Sequence, residues 1–297
     1  TAHAWAHGAS VVSYFRWRAG LFGQEQMHSG LLRHDGTLDR GGAEVAEMSL
    51  PGLPVSEHRA PVVLLHDYES LWAFDRQRHT AGASYWGQML LFYRALRSLG
   101  VDVDIRHVDA DLAGYQLIVV PALVLCDTGR AQRLARWAGD ARLVFGPRAG
   151  SRDESGRAWP DGQPGQLAGL LGCRLLNIDG LPPGMAVHVA GHETTIWAES
   201  YRLAGGEAVA RYDDGPLTGD AAVVRNGRVT TIGAWSATLI RSLLRDELAG
   251  LGIATRDLPD GVRITRRAGR TMLTNFTEAP VALDDGTPLA PVSYRID

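Results

Sequence analysis

Short apolar runs alternate with amphipathic stretches through the middle of the chain. Val62–His66 (VVLLH) is apolar up to its last residue, as is typical of a strand covered on both faces of a parallel sheet. Residues 84–99 have the apolar spacing of an amphipathic helix that Gly100 ends. Further elements are predicted as strands at 101–107, 116–121 and 141–146, and as a helix at 128–138. This order predicts an α/β domain with an open, mostly parallel sheet.

The pattern differs in the first sixty residues. Residues 1–10 have helical spacing that stops at Gly8, and residues 11–17 are β-branched and aromatic, which predicts a strand. A long polar loop is expected after that strand, because residues 20–42 are rich in glycine and show little periodicity. A short helix is predicted at 44–48, and residues 50–61, with three prolines, are interpreted as a linker.

The second half predicts several short strands. They are expected at 186–189, 208–212, 221–225 and 229–234, and Asn226–Gly227 is a strong signal for a two-residue hairpin between the last two. A loop is expected at 151–165, a short helix at 167–171 and a longer helix at 239–251. From residue 262 to the C terminus the pattern favours short antiparallel strands.

Composition narrows the classes of function. A chain of 297 residues is long enough for about two domains. Its net charge of −3 gives no general attraction to nucleic acid or anionic lipid, so we expect neither as a partner. Two cysteines, Cys126 and Cys173, argue against a disulfide framework and are expected to be buried.

The chain has no apolar run of the ~18–20 residues that span a bilayer. It begins at Thr1 without the basic and apolar segments of a signal peptide, so a cytoplasmic location is expected. It also enters a predicted buried strand within a few residues, from which we expect a fragment of a longer protein.

Candidate chemistry is concentrated in residues 14–36, YFRWRAGLFGQEQMHSGLLRHDG. Aromatic rings, arginines, a carboxylate and two histidines follow the predicted strand here, a composition that suits a small-molecule site such as one for a sugar. Glu25 and His28 are three residues apart, so one turn could direct both side chains at one ligand. An ordinary polar loop has a similar composition, and both interpretations stay open on pattern alone.

Several segments resemble one family in chain order. YFRWR with FGQEQMHSGLLRHDG resembles the region of the eighth barrel strand in family 42 β-galactosidases. His66 to Glu69 (HDYE) with Trp72 resembles the start of that family's second domain. The match continues through ADLAGY, QLIVVPAL, WAES and AVARYDDGPLTGDAAVVRNG, so it covers nearly the whole chain.

The resemblance implies a fold in three parts. Residues 1–50 would be the C-terminal remnant of a (β/α)8 catalytic barrel. Residues 61–253 would be an open parallel-sheet domain similar to class I glutamine amidotransferases, which assembles the family's trimer. Residues 254–297 would be a small antiparallel β domain. A homotrimer is therefore the expected assembly.

The resemblance also implies an activity and a site. The family hydrolyses terminal β-D-galactosides with retention, using two glutamates that precede the eighth strand and are therefore expected upstream of Thr1. Glu25, Gln26, Met27 and His28 match the family's positions for binding the galactosyl unit. The Asn-Glu pair of the acid/base position and the zinc-binding cysteine cluster are absent. We expect no catalytic residue, metal or cofactor in this chain, and no hydrolysis by it alone.

Two other carboxylates are candidate substitutes for the missing pair. Asp67 and Glu69 flank Tyr68 at the end of a predicted strand, and they would point to opposite faces if the strand persists. Retaining hydrolysis needs carboxyl groups about 5–5.5 Å apart. A loop-capping or interface cluster is therefore the favoured interpretation.

The amidotransferase-like fold raises the hypothesis of a cysteine nucleophile. Cys126 follows the strand at 116–121 but lacks the glycines of a nucleophile elbow, and Asp127 is expected to cap the next helix. A non-catalytic assembly or sugar-binding module is a further alternative. The aromatic helix at 84–99 is expected to serve the core or a subunit interface.

Two histidine pairs have the spacing of zinc ligands, His3 with His7 and His188 with His192. The first pair lacks the glutamate of a H-E-x-x-H motif. The second lies in a strand followed by a turn, where this spacing does not converge on one ion. We expect no metal site at either.

Overall fold

The structure is a computed structural model that describes residues 1–50, 52 and 59–297; residues 51 and 53–58 of the predicted linker lie outside it. The chain forms two compact units, Arg59–Ile264 and a smaller one that joins Thr1–His58 to Thr265–Asp297. Seven α-helices occur in the described residues: α1 (Ala2–Ala6), α2 (Arg40–Glu47), α3 (Tyr68–Arg76), α4 (Tyr85–Ser98), α5 (Thr128–Trp137), α6 (Ala168–Leu171) and α7 (Ala237–Gly250).

The larger unit is built on a nine-stranded sheet whose first half is parallel. That half begins with β1 (Val62–His66), β2 (Val103–His107), β3 (Leu117–Val120) and β4 (Arg142–Phe145). β1 lies between β2 and β3, with β4 beyond β3, and all three pairings are parallel. After β1 the chain adds β2 on one side of it and then β3 on the other, so the strand order reverses between β1 and β3. The carboxyl ends of these two strands therefore form a topological switch point.

Seven strands follow: β5 (Cys173–Gly180), β6 (Val187–Val189), β7 (His192–Thr194), β8 (Trp197–Leu203), β9 (Glu207–Arg211), β10 (Ala221–Asn226) and β11 (Val229–Ile232). β11 pairs in parallel with β4 and antiparallel with β10, and the sheet continues antiparallel through β8 to β5. The sheet is therefore mixed. The hairpin predicted at Asn226–Gly227 is confirmed, since Asn226 pairs with Val229 and Gly227 takes a φ of 57°.

Apolar layers cover both faces of this sheet. In β1, Val62 and Leu64 belong to the layer formed with α4 and α7, whereas Val63 and Leu65 belong to the layer formed with α5. This alternation follows from the two-residue period of a strand. It explains why VVLLH has no polar residue before His66, as the prediction of a strand covered on both sides required.

Helix α3 was not predicted. The strand ends at His66, and Asp67 starts the helix by accepting a hydrogen bond from the Ser70 amide at 2.9 Å. An aspartate in this position satisfies an amide that the first turn of a helix leaves without a partner. Asp67 therefore caps a helix, where a loop-capping or interface cluster is expected from the sequence, and the alternative in which the strand persists beyond His66 is wrong.

The smaller unit contains α1, α2 and short antiparallel strands. These strands are β12 (Val262–Arg267), on which the division between units falls, β13 (Arg270–Asn275), β14 (Val281–Ala282), β15 (Pro288–Leu289) and β16 (Ser293–Ile296). β13 pairs antiparallel with β16, and β14 with β15, which confirms the antiparallel pattern predicted near the C terminus.

The strand predicted at 11–17 is wrong. These residues have no strand assignment, and Arg18 with Leu32 forms an isolated bridge. A strand needs a neighbouring backbone to complete its hydrogen bonds. In the described part of the chain, such bonds reach Arg16 and Trp17, whose carbonyls accept from Leu31 and Leu32, and not residues 11–15.

Candidate functional site

Glu25 and His28 lie on one tight turn of the smaller unit. The His28 amide donates to the Glu25 carbonyl at 3.1 Å. The Glu25 side chain is about half exposed and forms an ion pair with Arg16, whose Nη1 lies 3.5 Å from Glu25 Oε2. The turn therefore carries an ion-paired, half-exposed carboxylate and, three residues further on, an exposed imidazole.

Gln26 and Met27 occupy the same turn in different ways. Gln26 Nε2 donates to the Leu21 carbonyl at 2.9 Å, so this amide supports the loop. Met27 is almost fully exposed, as are Phe15, Trp17 and Phe22 to a large extent. Large exposed apolar side chains in one short segment suit contact with a ligand or with another protein segment.

Two residues that the sequence did not single out hold this loop. Arg18 Nε donates to the His34 carbonyl at 3.1 Å, and His34 Nε2 donates to the Gln26 carbonyl at 2.9 Å. Both contacts join residues far apart in sequence, so no local spacing pattern indicates them. Together they connect the backbone before the turn with the backbone after it.

A second cluster of charges lies at the switch point of the larger unit. The guanidinium of Arg130, nine-tenths buried, lies 3.1 Å from Glu69 Oε2, 3.1 Å from Asp109 Oδ2 and 3.5 Å from Asp67 Oδ2. Arg133 forms a further ion pair with Asp109. We call Asp67, Glu69, Asp109, Arg130 and Arg133 the switch-point network.

Ion pairing within the network shifts the pKa values of Arg130 and Asp109. Burial alone would lower the pKa of Arg130, but the Asp109, Asp67 and Glu69 carboxylates raise it. Burial alone would raise the pKa of Asp109, yet its bonds to Arg130 and Arg133 hold that pKa below its usual value. Because Asp67 and Glu69 share one guanidinium, both carboxylates are already engaged.

The cysteine that would serve an amidotransferase-like reaction is buried. Cys126 is inaccessible, and burial raises the pKa of its thiol to about 12. Cys173 is buried too, and its pKa is also raised by burial to about 12. The expectation that both cysteines are buried is confirmed. A thiolate is the nucleophilic form of cysteine, so this environment opposes covalent chemistry.

Both thiols are expected to be unreactive in the folded protein. At pH 8 a thiol of pKa about 12 is ionised in only about one molecule in ten thousand. A disulfide reagent such as Ellman's should modify neither cysteine in native buffer and both in urea. With Cys173→Ala isolating Cys126, rapid modification of the native protein would restore the cysteine-nucleophile hypothesis.

Neither histidine pair forms a cluster of ligands. His7 Nδ1 bonds the His3 carbonyl at 2.9 Å, and His188 Nδ1 bonds Asp214 Oδ2 at 2.7 Å. In the described residues no group of three or more histidine, cysteine or acidic side chains is placed to hold a metal ion.

Among the helices that the structure describes, none is both long and apolar enough to cross a membrane.

Comparison with known proteins matches both units. Residues 60–253 match the family described as "Beta-galactosidase trimerisation domain", and residues 1–50 match the family 42 glycoside hydrolases described as "Beta-galactosidase". The β-galactosidase Bga of Halorubrum lacusprofundi is 40% identical over 99% of this chain and 45% of its own length. A β-galactosidase of Thermus thermophilus is 37% identical over 96% of this chain and 44% of its own length.

Solved structures agree. The β-galactosidase of the Antarctic haloarchaeon Halorubrum lacusprofundi superposes with a TM-score of 0.92 at 38% identity, over 99% of this chain and 48% of that one. The enzyme from the psychrophilic Marinomonas ef1 gives 0.87 at 29% identity, over 99% and 48%. The chain thus spans about half the length of the relatives that it matches. It belongs to glycoside hydrolase family 42, the family of these β-galactosidases.

Proposed function

We propose that this chain is the part of a retaining β-galactosidase that positions the galactosyl unit and assembles the enzyme. The observation that carries the proposal is the single exposed turn bearing Glu25 and His28, within a segment that matches the β-galactosidase family. The catalytic glutamates belong to a part of the enzyme that this chain does not contain. Alone, the chain does not hydrolyse galactosides.

Glu25 would bind the sugar directly. An ionised carboxylate accepts a hydrogen bond at each oxygen, and such charge-assisted bonds to hydroxyls are stronger than neutral ones. Arg16 lies 3.5 Å from one oxygen and fixes the direction of the group without closing it off from solvent. His28, three residues further along the same turn, would orient the same sugar, and the exposed Met27 would contact its apolar side.

Assembly would belong to the larger unit, for which we propose a homotrimer. Support comes from the match of residues 60–253 to a trimerisation domain. A cytoplasmic location is part of the same proposal, in keeping with two cysteines that are free thiols.

A non-catalytic assembly module is the second candidate function. It is favoured by the carboxylates of the switch-point network, which are already engaged in ion pairs.

A chimera separates these candidates. The N-terminal segment of the Thermus thermophilus β-galactosidase that precedes the matched region would be joined ahead of Thr1, and hydrolysis of a nitrophenyl β-galactoside measured. We expect activity from the chimera and none from this chain alone. The relative's intact enzyme is the positive control.

Two results would contradict the proposal. Hydrolysis by the chain alone would place the catalytic carboxylates within it. A chimera that is folded and trimeric, yet inactive, would show that residues 14–36 do not complete a galactoside site, and would favour the assembly module.

A further inference from the structure

The loop of residues 16–31 carries the turn 25–28 and is closed at its base by backbone contacts. The Leu31 amide donates to the Arg16 carbonyl at 2.9 Å. Gly30 lies so close to the start of the loop that a Cβ at this position would be 2.9 Å from the Arg16 carbonyl oxygen. Glycine permits this approach because it has no side chain. The base of the loop is thus fixed, and the position of the turn depends on contacts that the turn itself makes.

His34 reaches the turn from outside the loop. Its Nε2 lies 2.9 Å from the Gln26 carbonyl oxygen. A carbonyl oxygen can only accept, so Nε2 carries the proton in this contact. Gln26 lies between Glu25 and His28 in sequence, and the His28 amide closes the turn on the Glu25 carbonyl at 3.1 Å. A displacement of the Gln26 carbonyl would therefore move both proposed sugar ligands.

The backbone of His34 is itself held on both sides. Arg18 Nε donates to the His34 carbonyl at 3.1 Å. In the residues that follow, the Asp35 carboxylate accepts from the Thr37 amide at 2.9 Å and from the Thr37 hydroxyl at 2.7 Å, which closes a tight turn. Groups that bind a substrate keep their geometry when the residues behind them are fixed in this way.

We propose that His34 is a positioning residue for galactosyl binding, whose Nε2–H group holds the turn 25–28 in the geometry that binding requires. This inference rests on the proposed function and adds to it a residue that acts through the Gln26 carbonyl, without contact to the sugar. Misplacement of a binding group by about 1 Å can slow an enzyme by about 10²-fold. Because Glu25 and His28 share the turn, one hydrogen bond from His34 affects two sugar contacts.

The test compares substitutions of His34 in the chimeric enzyme. His34→Ala removes the donor and should lower kcat/KM for a nitrophenyl β-galactoside by about 10- to 100-fold. Glutamine places an amide donor near the position of Nε2, whereas the shorter asparagine places one near that of Nδ1. His34→Gln should therefore recover most of the lost rate, and His34→Asn should not.

His7→Ala is the matched control. His7 is another exposed histidine of the smaller unit, and its ring also bonds a backbone carbonyl, that of His3, at 2.9 Å. This variant should keep the kcat/KM of the unmodified chimera. The inhibition constant of galactose, which reports on the galactosyl site alone, should rise in His34→Ala and stay unchanged in His7→Ala.

The outcomes distinguish the inference from the proposed function. A normal kcat/KM in His34→Ala, in a chimera that Glu25→Ala slows, overturns the role of His34 and leaves the proposed function standing. Equal losses in His34→Gln and His34→Asn would also overturn it, since the hydrogen bond at Nε2 would then not be the cause. An inactive unmodified chimera removes the proposed function and this inference with it.

Discussion

Replacing Glu25 by alanine in the chimeric enzyme is expected to lower kcat/KM for a nitrophenyl β-galactoside by about 10²- to 10⁴-fold. The carboxylate would accept hydrogen bonds from two sugar hydroxyls, and each bond to a charged group contributes about 1.5–3 kcal/mol. Arg16 would then lack its partner, so the variant also loses a fixed element of the turn.

Two further variants make this result specific. Glu25→Gln keeps the shape but loses the charge, so its kcat/KM should fall between those of alanine and glutamate. Glu44→Ala removes another exposed carboxylate of the smaller unit, one paired with Arg40, and should leave the rate unchanged. Hydrolysis at the normal rate by Glu25→Ala would show that this residue does not contact the galactosyl unit.

The second large effect concerns stability. Arg130→Ala is expected to lower the free energy of unfolding by about 3–5 kcal/mol, because the buried Asp67 carboxylate would lose its guanidinium partner and keep only the half-exposed His107 imidazole, 3.6 Å away. Arg133→Ala is the matched control on the same helix. Its ion pair with Asp109 is more than one-third exposed on both sides, so its loss should cost less than about 1 kcal/mol. Urea unfolding of both variants measures the difference.

The stability that the ion pairs of Asp109 contribute should be lost in acid. The pKa of Asp109 in the folded chain lies below its usual 3.8, so its contribution is present above pH 3.8 and is lost as the pH falls through the lowered pKa. Equal losses of stability in the Arg130 and Arg133 variants at neutral pH would mean that the network is as weak as an ordinary surface ion pair.

Local periodicity predicted the elements whose burial follows a regular pattern along the sequence. β1 is apolar throughout because both of its faces are covered, and α4 was predicted from its apolar spacing and from Gly100, which follows it with a φ of 69°. Residues 11–17 have equally strong β-forming composition and still form no strand, since strand formation depends on a neighbouring backbone. Helix α3 was missed because its cap, Asp67, directly follows a strand.

For the candidate site, the sequence predicted the turn but not the residues that support it. The spacing of Glu25 and His28 indicated one turn, and their role as sugar ligands came from the family resemblance and stays a prediction. The supports of that turn, Arg18 and His34, act across sixteen residues of sequence and leave no periodic signal. The convergence of Asp67 and Glu69 on Arg130 likewise depends on a contact across more than sixty residues.

The switch-point network has a consequence for regulation. Open α/β sheets offer a ligand crevice where the strand order reverses, and here cationic and anionic side chains of the chain itself meet at that place. An effector can shift an equilibrium only through a difference in its affinity for two states. These side chains already neutralise each other, so a charged metabolite would gain little binding free energy from them. We therefore expect no thermodynamic linkage at this place between such an effector and subunit association.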